Sequence, residues 1–285
     1  SGVHGRLPTS HCIDAFIKSE KIFQSLDDWR HVHACRRMRA EALLDNHQLA
    51  EAKAALLEAQ AMEAPDWPIA DRMRRMKVQA ILAAKLEQNK TALRLAGEAL
   101  SLAELGGIER YVLAIQLDIA NLHLTMGSQD QALELYRLMT SQTRRDHFHR
   151  VTIAEAYVGF VTALMNQDDL EQAAQICLQA LPHWRSSGIF LKHGDLLAWW
   201  LARIENPLQA ARMLGAANTF FSTREIKRET IGQQNYDHAM RLLSEQASPE
   251  QISLWMGESA GLIDEKFLAD SMEFNIHQYL RVVNC

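Results

Sequence analysis

The chain has 285 residues, enough for one or two globular domains or for one elongated repeat array. Only 13 glycines and 6 prolines stand among abundant Ala, Leu, Glu, Gln and Met, which excludes a turn-rich all-β fold and favours long helices with short connections. Lys and Arg number 30 against 35 Asp and Glu, and the formal net charge of −5 excludes a chain whose main task is neutralising phosphates along a duplex, so no direct nucleic-acid partner is expected.

In chain order, residues 1–14 read as a leader. Ser1-Gly2-Val3-His4-Gly5 lacks the basic and apolar regions of a signal peptide. Ala15 to Leu26 has the pattern of the second helix of a hairpin with no first helix before it. A bare half-hairpin would leave an apolar face uncovered, so the expectation is a longer gene product upstream, with Ser1-Gly2 as a vector scar.

From there to about residue 230 a period close to 40 governs the chain. An alanine is followed four and seven positions later by small or apolar residues: Ala52, Leu56, Ala59; Ala92, Ala96, Ala99; Ala132, Tyr136, Met139; Ala173, Cys177, Ala180; Ala210, Leu214, Ala217. Twelve residues before each leading alanine stand Ala40, Ala80, Ala120, Val161 and Ala198. Residues four and seven apart share one helical face, and small side chains there let two antiparallel helices approach closely. Polar, Gly or Pro turns fall between the two helices of each unit: Asn46-His47-Gln48, Gln88-Asn89-Lys90, Gly127-Ser128-Gln129, Gln167-Asp168-Asp169 and Glu205-Asn206-Pro207. The fold expected is all-α: a right-handed superhelix of about five helical hairpins over 15–230, closed by a C-terminal helical cap over 231–285.

In the tail, Tyr236 to Leu243, Pro249 to Met256 and Glu265 to Met272 read as three shorter helices. Ser248-Pro249-Glu250-Gln251 carries a capping serine, a proline at the first helical position and a glutamine three residues after the cap. Cys12, Cys35, Cys177 and Cys285 show no paired spacing, and three of them sit in helical patterns as small apolar side chains, which fits a reducing cytoplasm. No run of about 18 apolar residues offers a membrane span.

Stacked hairpins of this kind present their first helices on a concave wall. Aligning the units puts Arg37, Glu41, Arg74, Lys77, Lys85, Leu117, Asn121, Thr125, Glu155, Thr162, Asn166, Asp195, Trp199 and Arg203 on that wall, the expected site for a protein, a peptide or a small effector. The basic run Arg36-Arg37-Met38-Arg39, with Arg72, Arg74, Arg75 and Lys77 one repeat later, has two readings. It forms a positive stripe that anchors an acidic peptide, a phosphate or a companion domain, or it is a solvated face paired with Glu41 and Asp71. Trp199-Trp200 either sends one ring to the groove and one to the core or buries both.

Catalysis and metal binding find no support. His31-x-His33 and His147-x-His149 are two apart, so on a helix they point about 200° around the axis and cannot share an ion. No Ser or Cys lies in a nucleophile motif, and Asp168-Asp169 falls in a turn where carboxylates cap helices. The expectation is a protein that is no enzyme and needs no cofactor.

The segment Met126-Gly127-Ser128-Gln129-Asp130-Gln131-Ala132-Leu133-Glu134-Leu135-Tyr136 resembles tetratricopeptide repeats, and the likeness runs over roughly 15–220. Pro207-Leu208-Gln209-Ala210-Ala211-Arg212-Met213-Leu214-Gly215-Ala216-Ala217, with Ile252 to Gly261 and Asp264 to Met272, resembles the C-terminal signature of bacterial transcriptional regulators of the STAND ATPase type. Met213 and Asn218 depart from its usual wording. In that family a winged-helix or LuxR-type DNA-binding domain and an ATPase precede the repeats. The resemblance implies a sensor module whose companion ATPase and DNA-binding domains lie elsewhere in the full-length protein, since these residues contain no GxxxxGK[ST] loop and no recognisable helix-turn-helix. The alternative is a stand-alone scaffold holding a partner's peptide or helix.

Overall fold

The computed structural model describes residues 9–141, 147–224, 226–260 and 265–283, and among these lie fourteen α-helices and no strand. They are α1 (Thr9–Ser25), α2 (Trp29–Asp45), α3 (Leu49–Met62), α4 (Ile69–Lys85), α5 (Asn89–Leu105), α6 (Glu109–Thr125) and α7 (Gln129–Thr140). There follow α8 (His147–Asn166), α9 (Leu170–Ser187), a 3-10 turn at Leu191–His193, α10 (Gly194–Arg203), α11 (Pro207–Thr223), α12 (Thr230–Gln246), α13 (Pro249–Ala260) and α14 (Glu265–Val283). The chain divides into two compact units, one up to Met126 and one from Gly127 onward. Residues 9–14, read from sequence as leader, are the first turns of α1.

The 40-residue period is the packing code. All twenty repeat positions named above, from Ala40 to Ala217, are at most 3% exposed. In the first unit the alanines of α5 (Ala92, Ala96, Ala99) meet Met73, Met76 and Ala80 of α4 and Ile115 and Leu122 of α6, while Ala52, Ala55 and Leu56 of α3 meet Ala40, Leu43 and Leu44 of α2. Alanine at the close crossings lets the backbones approach, and leucine or methionine fills the space beside them. In the second unit α8 packs on α9 and α10 on α11.

Short connections come from one repeated closure. At the end of α2, the His47 N–H donates to Leu44 O (3.1 Å) and the Gln48 N–H to Leu43 O (2.9 Å), with His47 at φ 59°. At the end of α4, Glu87 (φ 58°) and Gln88 donate to Ala84 O and Ala83 O, both at 2.9 Å. This Schellman closure satisfies the terminal carbonyls and turns the chain within two residues, but it places an L-residue in the left-handed region, at about 1–2 kcal/mol. Replacing His47 or Glu87 with Gly is expected to raise stability by about 0.5–1 kcal/mol each, the relief of strain exceeding the added unfolded-state entropy. A urea midpoint that falls in both variants would contradict this account.

Polar caps hold several helix starts. Asp28 accepts from the His31 N–H (3.2 Å) and Asp169 from the Gln172 N–H (3.0 Å). The Ser248–Gln251 box is reciprocal: the Ser248 N–H donates to Gln251 Oε1 (3.0 Å), and the Gln251 N–H to Ser248 Oγ (3.3 Å).

The tail differs from the expected short cap. The helix α14 has 19 residues and packs on α9, α13 packs on α11, and α12 runs along α10. Helix α10 is therefore covered all round, and every residue from Gly194 to Ala202 is buried. Gly215 of α11 marks the crossing with α13: a Cβ there would lie on the Met256 carbonyl oxygen and the Ser259 hydroxyl.

Candidate binding faces

In the first unit, the first-helix face of α2, α4 and α6 is a ladder of opposite charges. Arg37 donates to Glu41 (3.0 Å), Asp71 takes Arg30 (2.9 Å) and Arg74 (3.5 Å), and Lys77 meets Asp118 at 3.0 Å. The Arg74 guanidinium also lies 5.5 Å from the centre of the Tyr111 ring. Burial pushes the Lys77 ammonium toward neutrality, but Asp118 and, farther off, Glu41 hold its pKa above the usual lysine value. Of the other predicted wall residues, Lys85 and Thr125 are exposed, Leu117 and Asn121 are half-buried, and the Thr125 hydroxyl donates back to Leu122 O (3.0 Å).

The rest of the basic run faces elsewhere. Arg36 and Arg39 reach the buried Glu20 of α1 at 2.7 and 2.9 Å, and Arg39 also reaches Glu58 of α3 at 3.2 Å. Arg75 clamps Glu63, just past α3, through Nε (2.6 Å) and Nη2 (3.0 Å). These arginines tie α1, α2, α3 and α4 together and add no charge to the wall.

His31 and His33 go to different partners: His31 Nδ1 lies 2.7 Å from Asp28, and His33 Nε2 lies 3.1 Å from Glu63, its ring edge-on to Trp67. The side chains of His147 and His149 lie outside the described residues. Burial alone would raise the Glu63 pKa, but His33 and Arg75 bring it from 4.5 down to about 2. A carboxyl with a depressed folded-state pKa contributes stability above its unfolded pKa and loses it as pH falls through the folded one. Between pH 4.5 and 2 the wild type should thus lose on the order of 2 kcal/mol at this site after solvent screening, a loss missing from Glu63→Gln. Urea midpoints recorded from pH 7 to 2.5 check this; parallel acid slopes would rule it out.

In the second unit the predicted wall is not open. Thr162 is 2% exposed, Asp195 1% and Trp199 3%, because α12 and the segment leading into it lie on them. Arg228 grips Asp195 with two bonds (2.8 and 2.9 Å), donates to Asn218 (2.6 Å), and sits between the rings of Phe221 and Tyr236 at 4.5 and 4.4 Å from their centres. Asn235 of α12 donates to Thr162 of α8 (3.2 Å), and His238 stacks on Trp199 at 4.5 Å. Glu155 accepts from Lys192 (2.8 Å) and lies 3.1 Å from His193. Burial opposes its charge, but His193 and Lys192 hold its carboxyl well below the usual carboxylate range. Burial raises the Asp195 pKa despite Arg228. Arg203 pairs with Asp168, and Asn166 is exposed. Trp200, also buried, faces Tyr279 of α14, so both tryptophans are interior.

Sequence reasoning missed Arg228, Asn235 and His238 because they lie past Ala217, the last position the period assigns. The signal available was α10 itself: Leu196 to Ala202 is apolar on every side, which requires cover on every side.

Two clefts lie on the second-helix side. One, of about 570 Å³, runs between α3 and α5 with α4 as its floor and includes Lys53, Leu57, Arg72, Arg75, Leu86, Arg94 and Glu98. The other, of about 340 Å³, is its repeat equivalent between α7 and α9, with Arg137, Phe160, Gln172, Gln175, Ile176 and Gln179.

Together these features define an all-α helical-repeat protein. Among solved structures, the chain is similar to BtubC (BKLC) from P. vanneervenii, with a TM-score of 0.54, 14% identity, and coverage of 88% of this chain and 93% of that one. That likeness is one of fold. No protein-family model matches the chain, and no curated protein sequence matches it. Among the described residues no helix is long and apolar enough to cross a membrane, and no group of three His, Cys, Asp or Glu is placed to hold a metal ion.

Proposed function

We propose that this chain is a non-enzymatic binding module, the sensor arm of a bacterial transcriptional regulator. In this reading it couples an effector, peptide or protein on its first-helix faces to an ATPase and DNA-binding portion elsewhere in the polypeptide. The observation that carries the binding role is the seating of α12 on α8 and α10 through Asp195–Arg228, Thr162–Asn235 and Trp199–His238. A face that takes one helix through a desolvated arginine, an amide and an aromatic stack has the chemistry for helix-in-groove recognition. An effector that prefers the state with α12 displaced shifts the equilibrium by its differential affinity for the two states, and one with equal affinity shifts nothing. The regulator role rests on the resemblance of 207–217 to the family signature.

The test is to read the gene upstream and measure binding of a fluorescent ATP analogue to the full-length product. An upstream phosphate-binding loop with measurable affinity supports the sensor arm. A short upstream region with no nucleotide binding overturns it and leaves the stand-alone scaffold, which the open, mixed-charge face of α2, α4 and α6 also suits.

A further inference from the structure

We propose a second docking site, apart from the first-helix faces: the cleft between α3 and α5 takes an acidic amphipathic helix of a partner protein. In a chain of net charge −5, four cations, Lys53, Arg72, Arg75 and Arg94, line this cleft against one carboxylate, Glu98. Arg75 is committed to Glu63 and Arg94 to Glu98 (2.5 Å), whereas Lys53 and Arg72 are exposed and make no ion pair among the described residues. Between these charges Leu57 and Leu86 stand 55% and 38% exposed, an apolar strip with cations beside it.

The repeat shows that this lining is not imposed by the fold. In the equivalent cleft between α7 and α9, Arg94 and Glu98 are replaced by Gln175 and Gln179, and Lys53 and Arg72 correspond in register to the buried Leu133 and Ile153. The second unit also contains the mode of docking. There the chain lays its own helices on second helices through acid-to-arginine contacts: α13 on α11 with Glu258 to Arg212 (2.8 Å), and α14 on α9 with Asp270 to Arg185 (2.9 Å). Arg94 occupies in α5 the repeat position that Arg212 occupies in α11, two residues past the leading alanine. The occupant is therefore a helix with leucine-sized anchors four and seven apart and Glu or Asp on its flanks, whose carboxylates reach Lys53 and Arg72 and compete with Glu98 for Arg94.

The experiment uses the whole chain and a fluorescein-labelled synthetic helix with Leu at those spacings and Glu at the flanking positions, compared with the same peptide carrying Lys for Glu. The expected result is fluorescence anisotropy showing the Glu peptide binding about tenfold or more tightly than the Lys peptide. Lys53→Glu with Arg72→Glu should remove that preference, and Leu57→Asp should weaken the Glu peptide. All three positions are exposed, so the fold should persist, and unchanged circular dichroism checks that it does. Equal binding of both peptides, or a preference that survives the charge reversals, overturns the proposal. Sedimentation equilibrium covers the rival occupant: self-association abolished by the same charge reversals would place a second copy in the cleft and also overturn it.

Discussion

Gly215→Ala should lower the stability of the chain by about 2–3 kcal/mol in urea unfolding at pH 7, although Ala is ordinarily the better helix former. The added methyl would fall on the Met256 carbonyl oxygen and the Ser259 hydroxyl, 2.8 Å from the Met256 carbonyl carbon. A flexible side chain can swing aside, but a carbonyl inside α13 moves only with its helix. The Arg212–Glu258 bridge and the buried Ile252 would move with it. Gly257, in α13, and Gly97, in α5, supply the control, since a Cβ at either meets nothing within 4 Å. Gly257→Ala and Gly97→Ala should therefore each raise stability by about 0.5–1 kcal/mol. If all three substitutions move the urea midpoint in the same direction, the backbone-to-backbone crossing at Gly215 is not what positions α13.

The array was legible wherever burial follows a period. Ala, Leu, Met and Cys at fixed spacings gave the hairpin positions and their turns, because close helix crossings admit few side chains and each repeat meets the same requirement. The Ser248–Gln251 box was legible for a related reason, since its two hydrogen bonds are local and need no tertiary partner. The left-handed turns were only half legible: Gly107, Gly127 and Gly188 mark the conformation itself, whereas at His47, Glu87, Asp168 and Glu205 the polar composition marks a turn but not its positive φ.

The site was harder to read. Aligning first helices put Asp195, Trp199 and Thr162 on a wall open to a protein, a peptide or a small effector, whereas in the structure the chain's own α12 and the segment leading into it cover them. Asp195–Arg228 and Thr162–Asn235 join residues 33 and 73 apart outside the repeat register, and no period reports such pairs. Of the two readings of the basic run, the structure shows the paired face on the wall, with Arg37 on Glu41 and Arg74 on Asp71. The six arginines of the run on α2 and α4 point to different sides of their helices, and Glu20 and Glu63 neutralise Arg36, Arg39 and Arg75, which face inward.

Arg228→Ala is expected to have the largest effect of any single change, about 3–5 kcal/mol at pH 7, because it leaves the Asp195 carboxylate buried without its counter-charge. The loss should depend on pH in a definite direction. Burial already raises the Asp195 pKa, and losing the guanidinium raises it further. For an acid whose folded-state pKa lies above its unfolded value, the folded state holds more protons between the two, so stability falls as pH rises through that window. The deficit of Arg228→Ala should thus be greatest at pH 7 and shrink as pH falls and Asp195 takes a proton. Replacing both partners, Asp195→Leu with Arg228→Met, should recover most of the loss, since an apolar pair of similar volume needs no desolvated charge. The location of the damage tests the role assigned to α12. Arg228 joins α10, α11 and the start of α12, so the amides of α12 should exchange with solvent at least about tenfold faster while those of α9 stay protected. Fast exchange confined to α12 would mean that the helix leaves Trp199 and Thr162 as one piece, as an occupant displaced by a competing effector must. Uniform acceleration across the second unit would instead make α12 an inseparable part of the core and remove the displacement step from the proposed mechanism.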